Sequence, residues 1–115
     1  MSEAVEQPGS EQLVQFDVLI SSDISYGIVS LRGELDLVTI PRLERTLDQL
    51  CRNGCRQILL DLSQLTFISA TGIGVLVAAN QVLQEAGGRL VLSQPSHRVR
   101  RLLAITGEDA ALAIE

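Results

Sequence analysis

A chain of 115 residues with 46% apolar composition holds enough material for one hydrophobic core and too little length for two. Its formal net charge of −5 sets its overall field against phosphate backbones and anionic membranes, so neither nucleic acid nor a membrane is an expected partner. All nine basic residues are arginine, and the lack of lysine excludes a Walker lysine, Schiff-base chemistry and a lysine general base.

No apolar run approaches the ~20 residues of a membrane span, and the N-terminus lacks the basic, apolar and small-residue succession of a secretory signal. A cytoplasmic location is the expectation. Residues 1–11 are polar, acidic and broken by Pro8-Gly9-Ser10, a composition expected to give a disordered tail ahead of a domain over 12–115.

Two runs rich in β-branched and apolar residues, 12–20 and 26–35, flank Ser21-Ser22-Asp23 and read as an antiparallel strand pair joined by a turn. In the second run Val29, Leu31 and Gly33 oppose Ile28, Ser30 and Arg32, which gives the strand one apolar face. The period then changes: Ile40, Leu43, Leu47, Leu50 and Cys51 recur at helical spacing. Thr39 is placed to cap this helix, Pro41 sits in its first turn and Gly54 stops it, which predicts a helix over about 39–53.

The nearly continuous apolar run over 57–62 predicts a central strand covered on both faces, followed by a polar loop after Asp61. A helix between two strands of one sheet implies a right-handed parallel crossover. Ile73, Leu76, Val77, Asn80 and Leu83 mark one face of a second helix, ended by Gly87-Gly88. Residues 89–93 form a further short strand. Pro95-Ser96 leads into Val99, Leu102 and Leu103 of a third helix ending near Gly107, and 111–114 is an edge strand or a helical turn. The order β-β-α-β-α-β-α-(β) predicts a single α/β domain with a mixed sheet of four to five strands packed with three or four helices.

Several arrangements that carry chemistry are incomplete. Cys51, Cys55 and the distant His97 fall short of a four-ligand zinc site, and the two cysteines read as reduced thiols near a helix end or, alternatively, as a redox pair. Thr71-Gly72-Ile73-Gly74 departs from a dinucleotide fingerprint because Val77 holds the third glycine position. Nothing near Ser69 forms a nucleophile elbow for a Ser-His-Asp triad, so no catalytic residue, metal or cofactor is expected. His97, Arg98, Arg100 and Arg101 form a basic cluster that reads as a solvated or partner-facing helix side.

Two features point towards recognition. Glu34, Asp36 and Asp61 lie at or near the carboxyl ends of predicted adjacent strands, the usual binding edge of an open α/β sheet, although they also serve as helix-approach carboxylates. Ile68-Ser69-Ala70-Thr71-Gly72-Ile73-Gly74 opens the second helix, where unpartnered N–H groups and the positive end of the dipole accommodate a phosphate or another acceptor. Gly72 and Gly74 either admit a partner closely or let the helix pack tightly on the sheet.

Four blocks in order carry a family resemblance: Leu31-Arg32-Gly33-Glu34-Leu35-Asp36, Leu60 through Ile68, Thr71-Gly72-Ile73-Gly74-Val75-Leu76, and Gly87-Gly88-Arg89-Leu90-Val91-Leu92. Over roughly 13–115 the chain resembles the anti-sigma-factor antagonist (STAS) family, whose Asp-Ser-Ser/Thr-Gly motif falls on Ser69-Ala70-Thr71-Gly72. The resemblance implies a domain that binds an anti-sigma factor, itself a protein serine kinase, and frees a sigma factor for transcription. In the family, phosphorylation at this helix start blocks binding and a phosphatase restores it.

The family's phosphoacceptor position is Ala70 here, so the resemblance leaves three readings. The chain is a permanently active antagonist, or Ser69 or Thr71 is a shifted acceptor, or the alanine was introduced. The implied partner-binding residues are Glu34, Asp36, Ser69, Thr71, Gly72, Ile73 and Gly74. A phosphate near −2 repels a carboxylate about 8 Å away, such as Asp36, by roughly 4 kcal/mol at an effective dielectric of about 20. Alternatives implied by the same family are a noncatalytic subunit of a lipid-transport ATPase and a scaffold in a stress-sensing assembly. A monomer or weak dimer is expected.

Overall fold

The alternating apolar run at Tyr26–Leu35 forms the strand (β2) that joins an antiparallel hairpin partner, β1 (Gln15–Ile20), to the parallel remainder of the sheet. The computed structural model describes residues 15–20 as a strand path, together with 26–107 and 111–115; the expected tail over 1–11 and the turn at Ser21-Ser22-Asp23 lie outside the described residues. After β2 come α1 (Ile40–Arg52), β3 (Gln57–Ile68), α2 (Ala70–Glu85), β4 (Arg89–Ser93), α3 (His97–Thr106) and β5 (Ala113–Ile114). The strands lie in chain order, β1-β2-β3-β4-β5, with β2 to β5 mutually parallel. The mixed-sheet expectation holds, and the final segment is an edge strand.

Strands added one after another in a single direction, each through a right-handed crossover, place their helices on one face of the sheet. The burial pattern agrees. Val29 and Leu31 of β2, Ile58, Leu60 and Leu62 of β3, and Leu90 and Leu92 of β4 are at most 1% exposed and form one cluster with the helix residues Leu43, Leu47, Leu76, Val99 and Leu103. Each such side chain contributes about 1.5–3 kcal/mol of burial free energy, which makes this cluster the main source of stability. Alternate residues Ile28, Leu59 and Asp61 remain half-buried. The expectation that β3 is covered on both faces is therefore corrected: one face is covered by helices.

A second correction concerns the stretch after Asp61, expected as a loop. β3 runs on to Ile68, pairing Arg32 with Gln64, Gly33 with Leu65, Glu34 with Phe67 and Leu35 with Ile68. Register shifts between Ser30 and Arg32 and between Gly33 and Glu34 each insert one extra residue into β3. The buried positions consequently step from Leu62 to Leu65 to Ile68, at intervals of three instead of two, and the alternation that marks a strand disappears. Gly33, at φ 101°, supplies the backbone turn at this irregularity, and Thr66 Oγ1 donates to its carbonyl at 3.0 Å.

In α1, Ile40, Leu43, Leu47 and Leu50 form the buried stripe, with Pro41 near the start. The Thr39 side chain does not cap the helix. Its hydroxyl donates to the Glu34 carbonyl at 2.8 Å and accepts from the Asp36 N–H at 3.0 Å, fastening the end of β2 to the entry of α1. The turn is held instead by Asp36, whose Oδ1 accepts from the Val38 N–H at 3.0 Å. One buried polar side chain locks the other end of the core. Asn80 of α2 accepts from the Leu90 N–H at 3.0 Å and donates to the Ala111 carbonyl at 3.3 Å.

Candidate docking face

The carboxyl ends of β2 and β3 adjoin, so α1 and α2 leave the sheet side by side and their entry turns form one rim. The Ser69 N–H donates to the Leu35 carbonyl at 2.9 Å, joining the two turns directly. Ser69 is the N-cap of α2: its Oγ accepts from the Gly72 N–H at 3.0 Å, and its carbonyl accepts from the Ile73 N–H. The N–H groups of Ala70 and Thr71 have no acceptor among the described residues. Ala70, Thr71 and Gly74 are exposed, and the Thr71 hydroxyl makes no hydrogen bond among those residues.

The two glycines divide the roles left open by the sequence. A Cβ on Gly72 would lie 3.1 Å from Ile68 Cγ1 and 3.3 Å from Leu35 Cδ2, so this glycine lets α2 pack tightly on the sheet. A Cβ on Gly74 would meet nothing within 4 Å. Gly72 is buried and Ile73 is 2% exposed, so both point inward and add no accessible side-chain surface to the rim. Among the expected contact residues, Glu34, Thr71 and Gly74 present exposed surface, while Ser69 and Asp36 are half-buried.

Asp61 does not join this rim. The two extra residues of β3 carry the strand end onward to Ile68 and leave Asp61 opposite Ser93, where its Oδ1 accepts from the Ser63 N–H at 3.0 Å. The basic cluster on α3 also lies apart, on a helix that contributes nothing to the entry turns of α1 and α2.

Sequence reasoning missed the apolar part of the rim. Leu37 and Val38, in the turn between β2 and α1, are 73% and 71% exposed. They were detectable as two large apolar residues that fit neither the alternation of the strand before them nor the helical stripe after them. It also missed a groove of about 540 Å³ between α1 and α2, which begins at Thr71 and Gly74 and continues along Leu47, Val75 and Val82. Cys51 lines this groove and Cys55 is buried, and neither is in a disulfide. Burial pushes the Cys51 pKa above its ordinary 9.0, partly offset by the Arg56 guanidinium. Among the described residues no three His, Cys, Asp or Glu side chains converge on a metal site. No helix there is long and apolar enough to cross a membrane.

An accessible helix start beside a rim of acidic and apolar side chains is a surface suited to binding. Residues 15–115 match the STAS domain family. The chain belongs to that family. Among relatives of this STAS domain, an anti-sigma-B factor antagonist of Staphylococcus aureus (strain NCTC 8325 / PS 47) is 34% identical over 79 residues, 69% of this chain and 73% of the relative. The crystal structure of an anti-sigma factor antagonist from Mycobacterium paratuberculosis superposes with a TM-score of 0.72 at 25% identity, covering 87% of this chain and 85% of that one. Unphosphorylated SpoIIAA, an anti-sigma factor antagonist, shares the fold, with a TM-score of 0.73 at 19% identity over 89% of this STAS domain and 87% of that chain.

Proposed function

We propose that this STAS domain is an anti-sigma-factor antagonist that acts by binding, with the entry turns of α1 and α2 as its docking face. The observation that supports this most is the juxtaposition of the exposed start of α2 with the exposed pair Leu37 and Val38. Exposed apolar anchors beside polar groups are the composition of a protein-binding patch. The names of the curated relatives point the same way. The partner is an anti-sigma factor of the serine protein kinase type in the cytoplasm, and its capture frees a sigma factor for transcription.

Ala70 offers no oxygen for phosphate. Of the two neighbouring hydroxyls, Ser69 Oγ is half-buried and committed to the cap, whereas Thr71 is exposed and uncommitted. Thr71 is accordingly the better shifted acceptor, with a phosphatase as the enzyme that would reverse its modification. A phosphate there would add about two negative charges to a rim that already holds Glu34 and Asp36.

The reading is tested by capturing partners on the tagged protein and assaying sigma-dependent transcription in vitro. Retention of an ATP-binding anti-sigma factor, with restored transcription, is the expected result. Retention of a transport ATPase in its place would overturn it. Incubation with the captured kinase and ATP should label the wild type but not Thr71→Ala; an unlabelled wild type would make the protein an antagonist that its kinase cannot silence.

A further inference from the structure

The groove between α1 and α2 and the outer side of α3 are complementary in charge. On the groove side, Glu44 and Asp48 stand one helical turn apart on the rim contributed by α1, above an apolar lining that includes Leu47, Val75 and Val82. Val82 is 57% exposed although it belongs to this lining. Asp48 pairs with Arg52 of its own helix, at 3.1 Å between well-exposed groups, an arrangement that exchanges readily for another cation.

α3 is the counterpart. Its sequence, His-Arg-Val-Arg-Arg-Leu-Leu-Ala-Ile-Thr, contains no acid, in a chain whose net charge is −5. Val99 and Leu103 face the core, and the spacing of Arg98, Arg101 and Ile105 places all three along one outward flank. Ile105 is 72% exposed, and neither arginine has a hydrogen bond or ion pair among the described residues. Arg98 and Arg101 are three residues apart and Glu44 and Asp48 four, a rise of about 4.5 Å against about 6 Å, so both ion pairs can form along one line of contact.

We infer that the groove between α1 and α2 binds α3 of a second copy of this chain, with Ile105 in the apolar lining and Arg98 and Arg101 on Glu44 and Asp48. The two surfaces are different parts of the molecule, so the contact either closes as a two-fold pair, with each α3 in the other's groove, or runs head-to-tail into a ring or an open chain. Thr71 and Gly74 also line the groove. Self-association therefore covers part of the α2 start and competes with any partner docked there. This inference does not rest on the identity of that partner, because mass alone tests it.

Sedimentation equilibrium of the full chain at low salt, up to about 1 mM, the range in which weak contacts populate, reads the association directly. The wild type is expected to rise above its 12.4 kDa monomer mass with concentration, and to fall back towards it as salt is added. Arg101→Glu and Glu44→Arg, both at exposed positions, should each associate at least about tenfold more weakly. Mixing the two variants should restore association, because the unaltered α3 of one meets the unaltered groove of the other. A wild type that stays monomeric throughout, an Arg101→Glu variant that associates like the wild type, or a mixture that fails to recover would each overturn the inference.

Discussion

The backbone N–H of Ser69 donates to the carbonyl of Leu35 at 2.9 Å, so the start of α2 is tied directly to the end of β2. Ser69 adds a second tie through its hydroxyl, which accepts from the Gly72 N–H. Removing that acceptor in Ser69→Ala should cost about 1 kcal/mol, read as a lower urea midpoint at unchanged slope. Ser69→Asp places a carboxylate acceptor at the positive end of the helix dipole and should equal or exceed the wild type.

The two glycines of α2 should respond in opposite ways to alanine. Gly74→Ala fills open space in a helix and should stabilise by up to about 1 kcal/mol. Gly72→Ala gains the same propensity but forces Ile68 and Leu35 to give way, so the overpacking cost of about 1–3 kcal/mol should leave it less stable than wild type. Chemical denaturation of the pair checks both signs.

Asn80 satisfies the Leu90 N–H inside the core. In Asn80→Leu that donor loses its acceptor, at a cost of about 1–3 kcal/mol in unfolding free energy despite the added apolar volume. Equal stability of this variant and the wild type would show that another acceptor replaces the amide.

Cys51 supplies a pH dependence. Its folded pKa is raised by burial, so the folded state holds the thiol proton more tightly than the unfolded state does. Its contribution is complete below the ordinary value of 9.0 and is lost as pH climbs from there through the folded pKa. Unfolding free energy of the wild type should thus fall more steeply above pH 9 than that of Cys51→Ala. Alkylation of Cys51 should be slow at neutral pH, because little thiolate is present.

Element order, the α1 stripe and the extent of β4 were legible because period and punctuation agree there: Ile40, Leu43, Leu47 and Leu50 lie between Thr39 and Gly54, with Pro41 in the first turn, and Arg89–Ser93 follows paired glycines. The second half of β3 was not legible. Its two bulges convert strand alternation into steps of three at Leu62, Leu65 and Ile68, and long-range pairing with Arg32 to Leu35 keeps the segment extended against its local pattern. The same bulges explain why Asp61 was expected at the rim and lies short of it.

The rim at the entry turns of α1 and α2 was legible in its polar half. Ser69 and Thr71 show themselves through helix-start chemistry, and Glu34 and Asp36 through their place at a strand end. Leu37 and Val38 did not, because an apolar residue in sequence gives no sign of whether a core or solvent surrounds it. The inward turn of Ile73 was legible in the helical spacing it shares with Leu76, Asn80 and Leu83, which conflicts with its expected place among the partner-binding residues.

Calorimetric titration of the captured anti-sigma factor with four versions of the protein tests the docking face most directly. Ala70→Asp and Leu37→Asp place carboxylates on the rim at exposed positions and should each weaken binding by at least about tenfold while remaining folded, since an interface that buries an unpaired charge loses several kcal/mol. Arg89→Ala, at the opposite end of the sheet, should bind like the wild type. Wild-type affinity in both rim variants, or a loss in Arg89→Ala as large as theirs, would contradict the account.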